Sequence, residues 1–402
     1  MRDGLNTRRE QGLGVRIAIA LAAIFSSGAA SAIDYQVHGY AAQGFVLSSH
    51  NDFFGDSTGG SFDYYEAGIN AAVRVQPNLS FAAQVAVRDA GISDDGSLRL
   101  DYAVADYRLV SEASIQAGLR AGKVKNALGF YNETRDVVFT RPSILLPSVY
   151  SDNQNQRSLI FTAPGAQVYG GTVVGLHELS FIGTVNAERD VRASDERLLV
   201  TLTVPFDLRI GDSWNMQIMD SIDGGRWQFA YSRFSGQFRL STAPEIDLTG
   251  RLDVDLNVFS ARYNAERFTL TAEYVLVDND NRLTLMGVPF FHQRAAVDSG
   301  YLQAEYRAAS AWTLMARMDS FYRNRHDRSG QDFAAANPGV DRRTQFSHDF
   351  TIGINWRPDE HWGVWAEHHW INGTATLQAL ENPPPVQHQR WSMLMLMAGY
   401  KF

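Results

Sequence analysis

The chain has 402 residues, a formal net charge of −8, 45% hydrophobic and 12% aromatic residues, and no cysteine. Without cysteine there is no disulfide scaffold, thiolate nucleophile or cysteine-based metal centre. A mean hydropathy of −0.23, with no apolar run of about 18 residues, excludes a bundle of membrane-crossing helices. The aromatic and apolar content is too high for a disordered chain, and an acidic chain with no basic stripe is a poor nucleic-acid binder. Length alone suggests two or three soluble domains, but the patterning points to one.

Arg2, Arg8, Arg9 and Arg16 precede the apolar run 17–25, and small residues fill 26–32, with Ala30 and Ala32 placed for a cut before Ile33. This is the order of a cleaved export signal, and nine apolar residues are far short of the about 20 that cross a bilayer. Residues 1–32 are expected to be the signal and 33–402 one domain. Cleavage would remove four arginines and two carboxylates and leave the remainder near −10.

From residue 33 onward the hydropathy alternates with period two. Leu79, Phe81, Ala83, Val85 and Val87 alternate with Ser80, Ala82, Gln84, Ala86 and Arg88; Phe268–Leu276 and Trp312–Met318 repeat the pattern. Successive strand side chains point to opposite faces, so each run has one apolar and one mixed face. The runs are 10–14 residues long, against about 5–6 in soluble sandwiches and about 9–11 for a tilted strand crossing a membrane. Short joints fall at 77–78, 111–113, 175–177, 264–265, 309–310 and 358–360. Long polar stretches fall at 49–61, 89–97, 125–157, 187–196, 278–297, 323–346 and 372–389. Short turns on one side and long loops on the other predict an all-β fold, a transmembrane antiparallel β-barrel with short periplasmic turns and long extracellular loops. Aromatic residues near the run ends, such as Tyr35, Trp227, Tyr263, Trp312, Trp356 and Tyr400, fit interfacial girdles.

The predicted strands are 33–48, 62–75, 79–89, 98–110, 114–124, 158–174, 178–186, 197–206, 213–221, 226–234, 237–243, 250–263, 267–277, 298–308, 311–322, 347–357, 361–371 and 391–402, which makes 18. The stretch 205–250 is the weak part, and merging there gives 16. Either number encloses a lumen wide enough for water.

The longest interval without alternation, 125–157, is the candidate for a loop folded into the lumen. Over 120–157 six basic residues, Arg120, Lys123, Lys125, Arg135, Arg141 and Arg157, outnumber the acidic Glu133, Asp136 and Asp152. Rings of charged side chains set pore selectivity, so this segment is read as an anion-attracting constriction. The other reading is an external loop whose arginines meet lipopolysaccharide phosphates. Pro142 and Pro147 bracket the apolar 143–146, which could pin the loop to the wall. The lumen wall is expected to carry Glu66, Arg74, Arg88, Arg99, Asp101, Glu273, Glu305, Arg307, Arg317, Asp319 and Glu367.

No metal or cofactor site is expected. His368 and His369 lie on opposite faces of one strand and cannot share an ion. The run 278–281 resembles the start of a calcium loop but lacks glycine at its sixth position (Leu283) and glutamate at its twelfth (Pro289).

The final run, WSMLMLMAGYKF (391–402), places Leu394, Leu396, Ala398, Tyr400 and Phe402 on one face. It resembles the C-terminal assembly signal of outer-membrane barrels. With the export signal and the strand pattern, the whole chain resembles a Gram-negative porin. The block GKVKNALGFYNETRDVVFTRPSILLP (122–147) is similar to one in porin-like outer-membrane proteins of proteobacteria. The resemblance implies a passive, water-filled channel for small hydrophilic solutes, with anions suggested by the positive segment. It also implies outer-membrane lipid, lipopolysaccharide and the barrel-assembly machinery as partners, and the possibility of a homotrimer. The usual acidic loop motif of trimeric porins is absent. The alternatives are an outer-membrane lipase or protease, which in known cases has 10–12 strands, and a non-conducting adhesive barrel.

Overall fold

The structure is a computed structural model that describes residues 34–150, 160–191, 205–383 and 387–402. Its sixteen long strands each pair antiparallel with the next. They are β1 Asp34–Ser48, β2 Tyr65–Gln76, β3 Leu79–Asp89, β4 Arg99–Ser111, β5 Ile115–Lys125 and β6 Thr162–Val174. Then come β7 His177–Asn186, β8 Phe206–Ile222, β9 Trp227–Thr242, β10 Leu248–Asn264 and β11 Phe268–Leu285. The last five are β12 Val288–Ala309, β13 Trp312–Tyr322, β14 Phe346–Trp356, β15 Trp362–Gly373 and β16 Arg390–Lys401. Pairing of β1 with β16, from Tyr40↔Lys401 to Ser48↔Met393, closes the sheet into a barrel.

The count of 18 is corrected to 16, for two physical reasons. The predicted strands 226–234 and 237–243 are one strand: at Ser235-Gly236, read as a turn, the ladder runs on through a bulge. Gly236 faces Ser213 while Phe238 faces Ile210, so Gly211 and Asp212 together oppose Gln237. Second, β7 pairs directly with β8, from His177↔Ile222 to Asn186↔Ser213, and leaves no place for a strand between them. Most of the predicted strand 197–206 lies outside the described residues. The two-residue stretch Arg189–Asp190 extends β7 along β8.

The polar interval 278–297 is not a loop either. It is the upper part of a tall β11–β12 hairpin, paired from Asp278↔Ala296 to Leu285↔Val288.

Burial runs opposite to that of a soluble protein. Phe81, Leu119, Ile218, Phe229, Phe259 and Ile352 are exposed, while Glu66, Gln84, Thr184, Thr271, Gln303 and Thr351 are buried. A sheet that is apolar outside and polar inside is stable only with hydrocarbon around it. All six exposed tryptophans, 214, 227, 312, 356, 362 and 370, sit on β8–β15. The opposite side carries no tryptophan and has a row of alanines across it: Ala71 pairs with Ala83, Ala83 with Ala103, Ala105 with Ala121 and Ala121 with Ala166 across β2–β6.

Toward the long-loop end of β8–β12 the polarity changes sides while the alternation keeps its step. On β10, Ser260 faces the lumen and Phe259 is exposed outside, but higher up Val254, Leu256 and Val258 are buried inside, and Arg251, Asp253 and Asp255 face outward. Above the lipid belt the outer face meets water, so it must be polar, and the aliphatic side chains move to the inside. Among the described residues the interior holds two apolar clusters. One joins Leu128, Val149 and Tyr150 to the aliphatic wall of β8–β11. The other joins Val138, Phe139 and Ile144 to Trp365 and to Met393, Met395 and Met397 of β16.

Candidate pore constriction

Segment 126–150 lies inside the barrel, where backbone and side-chain bonds tie it to almost every quarter of the wall. It enters along β8 and β9: Asn215 Nδ2 donates to Ala127 O (3.0 Å), Gln217 Nε2 to Gly129 O (2.9 Å), and Gly129 N to Ser232 Oγ (3.1 Å). Gly129 has φ +59°, and a Cβ there would sit 2.3 Å from the Tyr150 hydroxyl, so this entry turn requires glycine.

Six buried carboxylates, five of the wall and one of the segment, then fix the path. Glu273 on β11 accepts from Phe130 N (2.9 Å) and Tyr150 Oη (2.6 Å). Glu66 on β2 pairs with Arg141 at 2.6 Å. Glu367 on β15 accepts from Ile144 N and from Leu145 N (3.4 Å). Asp319 on β13 accepts from Ser148 N (2.7 Å) and Ser148 Oγ (2.5 Å). Asp136 of the segment pairs with Lys125 at 2.6 Å, and Lys125 also reaches Asp101 on β4 at 3.0 Å. Burial pushes the Tyr131 phenol up to about 12. Burial, then the Glu273 charge, holds Tyr150 well above its ordinary value. Both stay protonated, so Tyr150 remains a donor to Glu273.

The residues proposed to face the solute fall into three groups. Arg135 and Arg141 are 2% and 3% exposed. Arg135 donates to Tyr150 O (3.2 Å) and lies over the Phe161 ring (4.3 Å), so both arginines hold the segment instead of lining open space. Lys123 donates to Leu100 O, and Arg120 pairs with Asp106 (2.9 Å) over the Tyr169 ring (4.4 Å). Glu133 is exposed, with Thr134 and Thr140. Arg157 lies outside the described residues.

Of the wall residues, Arg88 and Arg99 both pair with Asp94 (3.4 and 2.5 Å). Arg317 donates to Ser143 Oγ (3.0 Å), and Arg74 meets Asp34 at 4.0 Å near the short-turn rim. Leu394, Leu396, Ala398 and Tyr400 occupy the outward positions of β16, and terminal Phe402 exchanges backbone bonds with Gly39.

On the short-turn side of the segment Arg262 and Arg357, which sequence reading missed, join Arg307 and Glu305 of the expected lumen wall. Arg262, Arg307 and Arg357 lie within electrostatic reach of Glu305, whose carboxylate accepts from Gln303 Nε2 (2.9 Å). Arg262 lies over Phe130 (4.4 Å), Arg307 donates to Ala265 O (2.8 Å) and Arg357 to Phe139 O (2.9 Å). The signal was present as Arg262, Glu305 and Arg307 on inward positions of adjacent strands, but it needed the register to bring them together. His369, expected on the face opposite His368, is buried in the lumen: its Nδ1 meets Asp349 (2.8 Å) and its Nε2 lies 3.5 Å from Glu367, while His368 points outward against Trp370.

The stretch 55–59 reads Gly-Asp-Ser-Thr-Gly, a spacing that in hydrolases exposes a nucleophilic serine at a strand-to-helix turn. Here Ser57 is fully buried, bonds Ser48 Oγ (2.7 Å) and precedes no helix. Among the described residues no three His, Asp or Glu side chains form a metal-binding group.

A closed 16-stranded barrel with a segment folded across its lumen is the architecture of the Gram-negative outer-membrane porins. Three solved outer-membrane structures share the barrel fold. The anion-selective porin of Comamonas acidovorans superposes with TM-score 0.56 at 9% identity, covering 92% of this chain and 100% of that one. OmpF of Salmonella typhi, solved with daunomycin, gives 0.54 at 12% identity over 92% and 97%. OmpT of Vibrio cholerae in its trimer form gives 0.51 at 11% identity over 92% and 100%. The sequence matches no protein-family model and no curated protein.

Proposed function

We propose that the protein is a passive outer-membrane channel whose flux is set by segment 126–150 and the charges beneath it. The observation that carries this reading is the polar inner face of a closed barrel, crossed by a segment held on five buried carboxylates of the wall. The solutes are small and hydrophilic enough to pass a polar ring, and the preference is for anions. The fold supports this, because an anion-selective porin shares it. So does the charge below the segment, where three guanidiniums lie within electrostatic reach of one carboxylate.

The direct test is single-channel recording in planar bilayers. Stepwise currents with an anion-selective reversal potential in a salt gradient are expected; clean preparations without steps would overturn the channel. Arg307→Gln should move the reversal potential toward cations. An unchanged value would remove the guanidinium cluster as the selectivity element.

The finer parts of this reading follow from the same surfaces. Residues 1–32 are a cleaved signal, so the mature protein should begin at Ile33 by mass. The tryptophan-free face of β2–β6 is the contact of a homotrimer, as the trimer form of OmpT suggests, and Ala105→Arg should yield monomers by native mass measurement. The face carrying Leu394, Leu396, Ala398, Tyr400 and Phe402 serves the barrel-assembly machinery, and exposed extracellular arginines meet lipopolysaccharide.

A further inference from the structure

On the long-loop side of segment 126–150 lies a cavity of about 1290 Å³, floored by Ser148 and Val149. That exceeds the roughly 300–1,000 Å³ of ordinary small-molecule sites. Its two sides differ in chemistry. One is the inverted part of the barrel wall, where Leu240, Leu252, Val254, Val275, Val277 and Val297 face inward. A hydrophilic solute gains nothing from such a surface, whereas each methylene buried there multiplies affinity about four-fold.

The other side carries Arg323, at the inward position just beyond β13 and open to the cavity water. Its Nε donates to Thr344 O (3.0 Å) and its Nη2 to Ala375 O (2.7 Å). Two backbone carbonyls thus fix the guanidinium plane and leave Nη1 unengaged. Among the described residues no carboxylate pairs with it. Three of the other lining charges are already engaged. Arg251 pairs with Asp253 (2.9 Å) and Arg294 with Asp280 (3.2 Å). Asp327 turns its oxygens to Gln331 N (3.0 Å) and Phe333 N (2.8 Å). Asp332 is exposed in the short helix Gln331–Ala336.

We propose that this vestibule is a binding site for small amphiphilic carboxylates, with the apolar body on the aliphatic wall and the carboxylate on Arg323. A planar, pre-oriented guanidinium suits a planar anion better than a point cation would. The proposal refines the substrate class of the channel reading and rests on it only for onward passage; binding itself needs no current.

The test uses the full mature protein in lipid nanodiscs and ligand-detected NMR, with empty nanodiscs subtracted. The probes are cyclohexanecarboxylate, acetate and cyclohexylmethanol. Cyclohexanecarboxylate should bind more than ten-fold tighter than either of the others. Arg323→Gln should lose roughly ten-fold for the carboxylate and nothing for the alcohol. Leu252→Asn, on the opposite wall, should weaken cyclohexanecarboxylate and leave acetate unchanged, which keeps the test open if the arginine variant does not fold. Equal binding of acid and alcohol, or of cyclohexanecarboxylate and acetate, would overturn the site. So would a folded Arg323→Gln variant with unchanged affinity. Binding without current steps would keep the site and remove the channel; steps without binding would do the reverse.

Discussion

Arg141→Ala probes the attachment of the segment most directly. The Arg141–Glu66 pair spans 2.6 Å, with side chains only 1% and 2% exposed, so solvent screening is slight. Among the described residues Glu66 has no other hydrogen-bond partner for its carboxylate. Removing the guanidinium leaves that charge buried and unpaired, a loss of about 3–5 kcal/mol, whereas replacing both groups with apolar ones of similar size is close to neutral. The urea midpoint in lipid vesicles, read by tryptophan fluorescence, should fall sharply for Arg141→Ala and recover in Glu66→Leu/Arg141→Met. If the alanine variant instead lets the segment leave the wall, Glu66 regains water and the loss is capped at the docking free energy. The cost then shows as larger, noisier single-channel currents. A single variant with unchanged midpoint and unchanged currents would refute the latch.

Three further outcomes are expected. Gly129→Ala places a side chain at φ +59° against the Tyr150 hydroxyl and should cost at least about 1–2 kcal/mol; an unchanged urea midpoint would contradict it. Asp280, on the tall hairpin above the lipid belt, is held down to about 2 by its hydrogen bond from Arg282 and then by that charge. Because its folded value is depressed, its stabilising contribution is full above the unfolded value near 3.9 and is lost as pH falls toward about 2. Carboxyl carbon-13 NMR checks this, and a midpoint near 4 in the wild type would sink it; Arg282→Gln should raise the midpoint. A Cβ at Gly39 would lie 2.4 Å from the Phe402 ring, so Gly39→Leu should reduce the heat-modifiable folded fraction as far as Phe402→Ala does, and an unaffected fraction would count against a seated terminal ring.

The lower halves of the strands were legible because a residue facing lipid must be apolar, which makes Phe268–Leu276 read cleanly. The signal failed where the outside changes from hydrocarbon to water. On β11 the outward Asp278, Asp280 and Arg282 look like a loop, although Val277 and Leu283 keep the same step on the inside. On β9 the bulge beside Gly236 imitated a turn. The long interval near 125–157 was visible as missing alternation. What its arginines do was not, since Arg135 and Arg141 meet partners that only the closed barrel brings near. The methionine row 393, 395 and 397 was overshadowed by the outward face of the same strand.

The side-switch of polarity along β8–β12 means that one ribbon of chain answers to two solvents. Its lower half is held by the lack of backbone partners in hydrocarbon, and its upper half by expulsion of water from aliphatic side chains, as in any water-soluble sheet. Cooling or mild denaturant should therefore loosen the crown before the stem, and substitutions such as Leu252→Asn should act on the crown while leaving insertion of the stem intact.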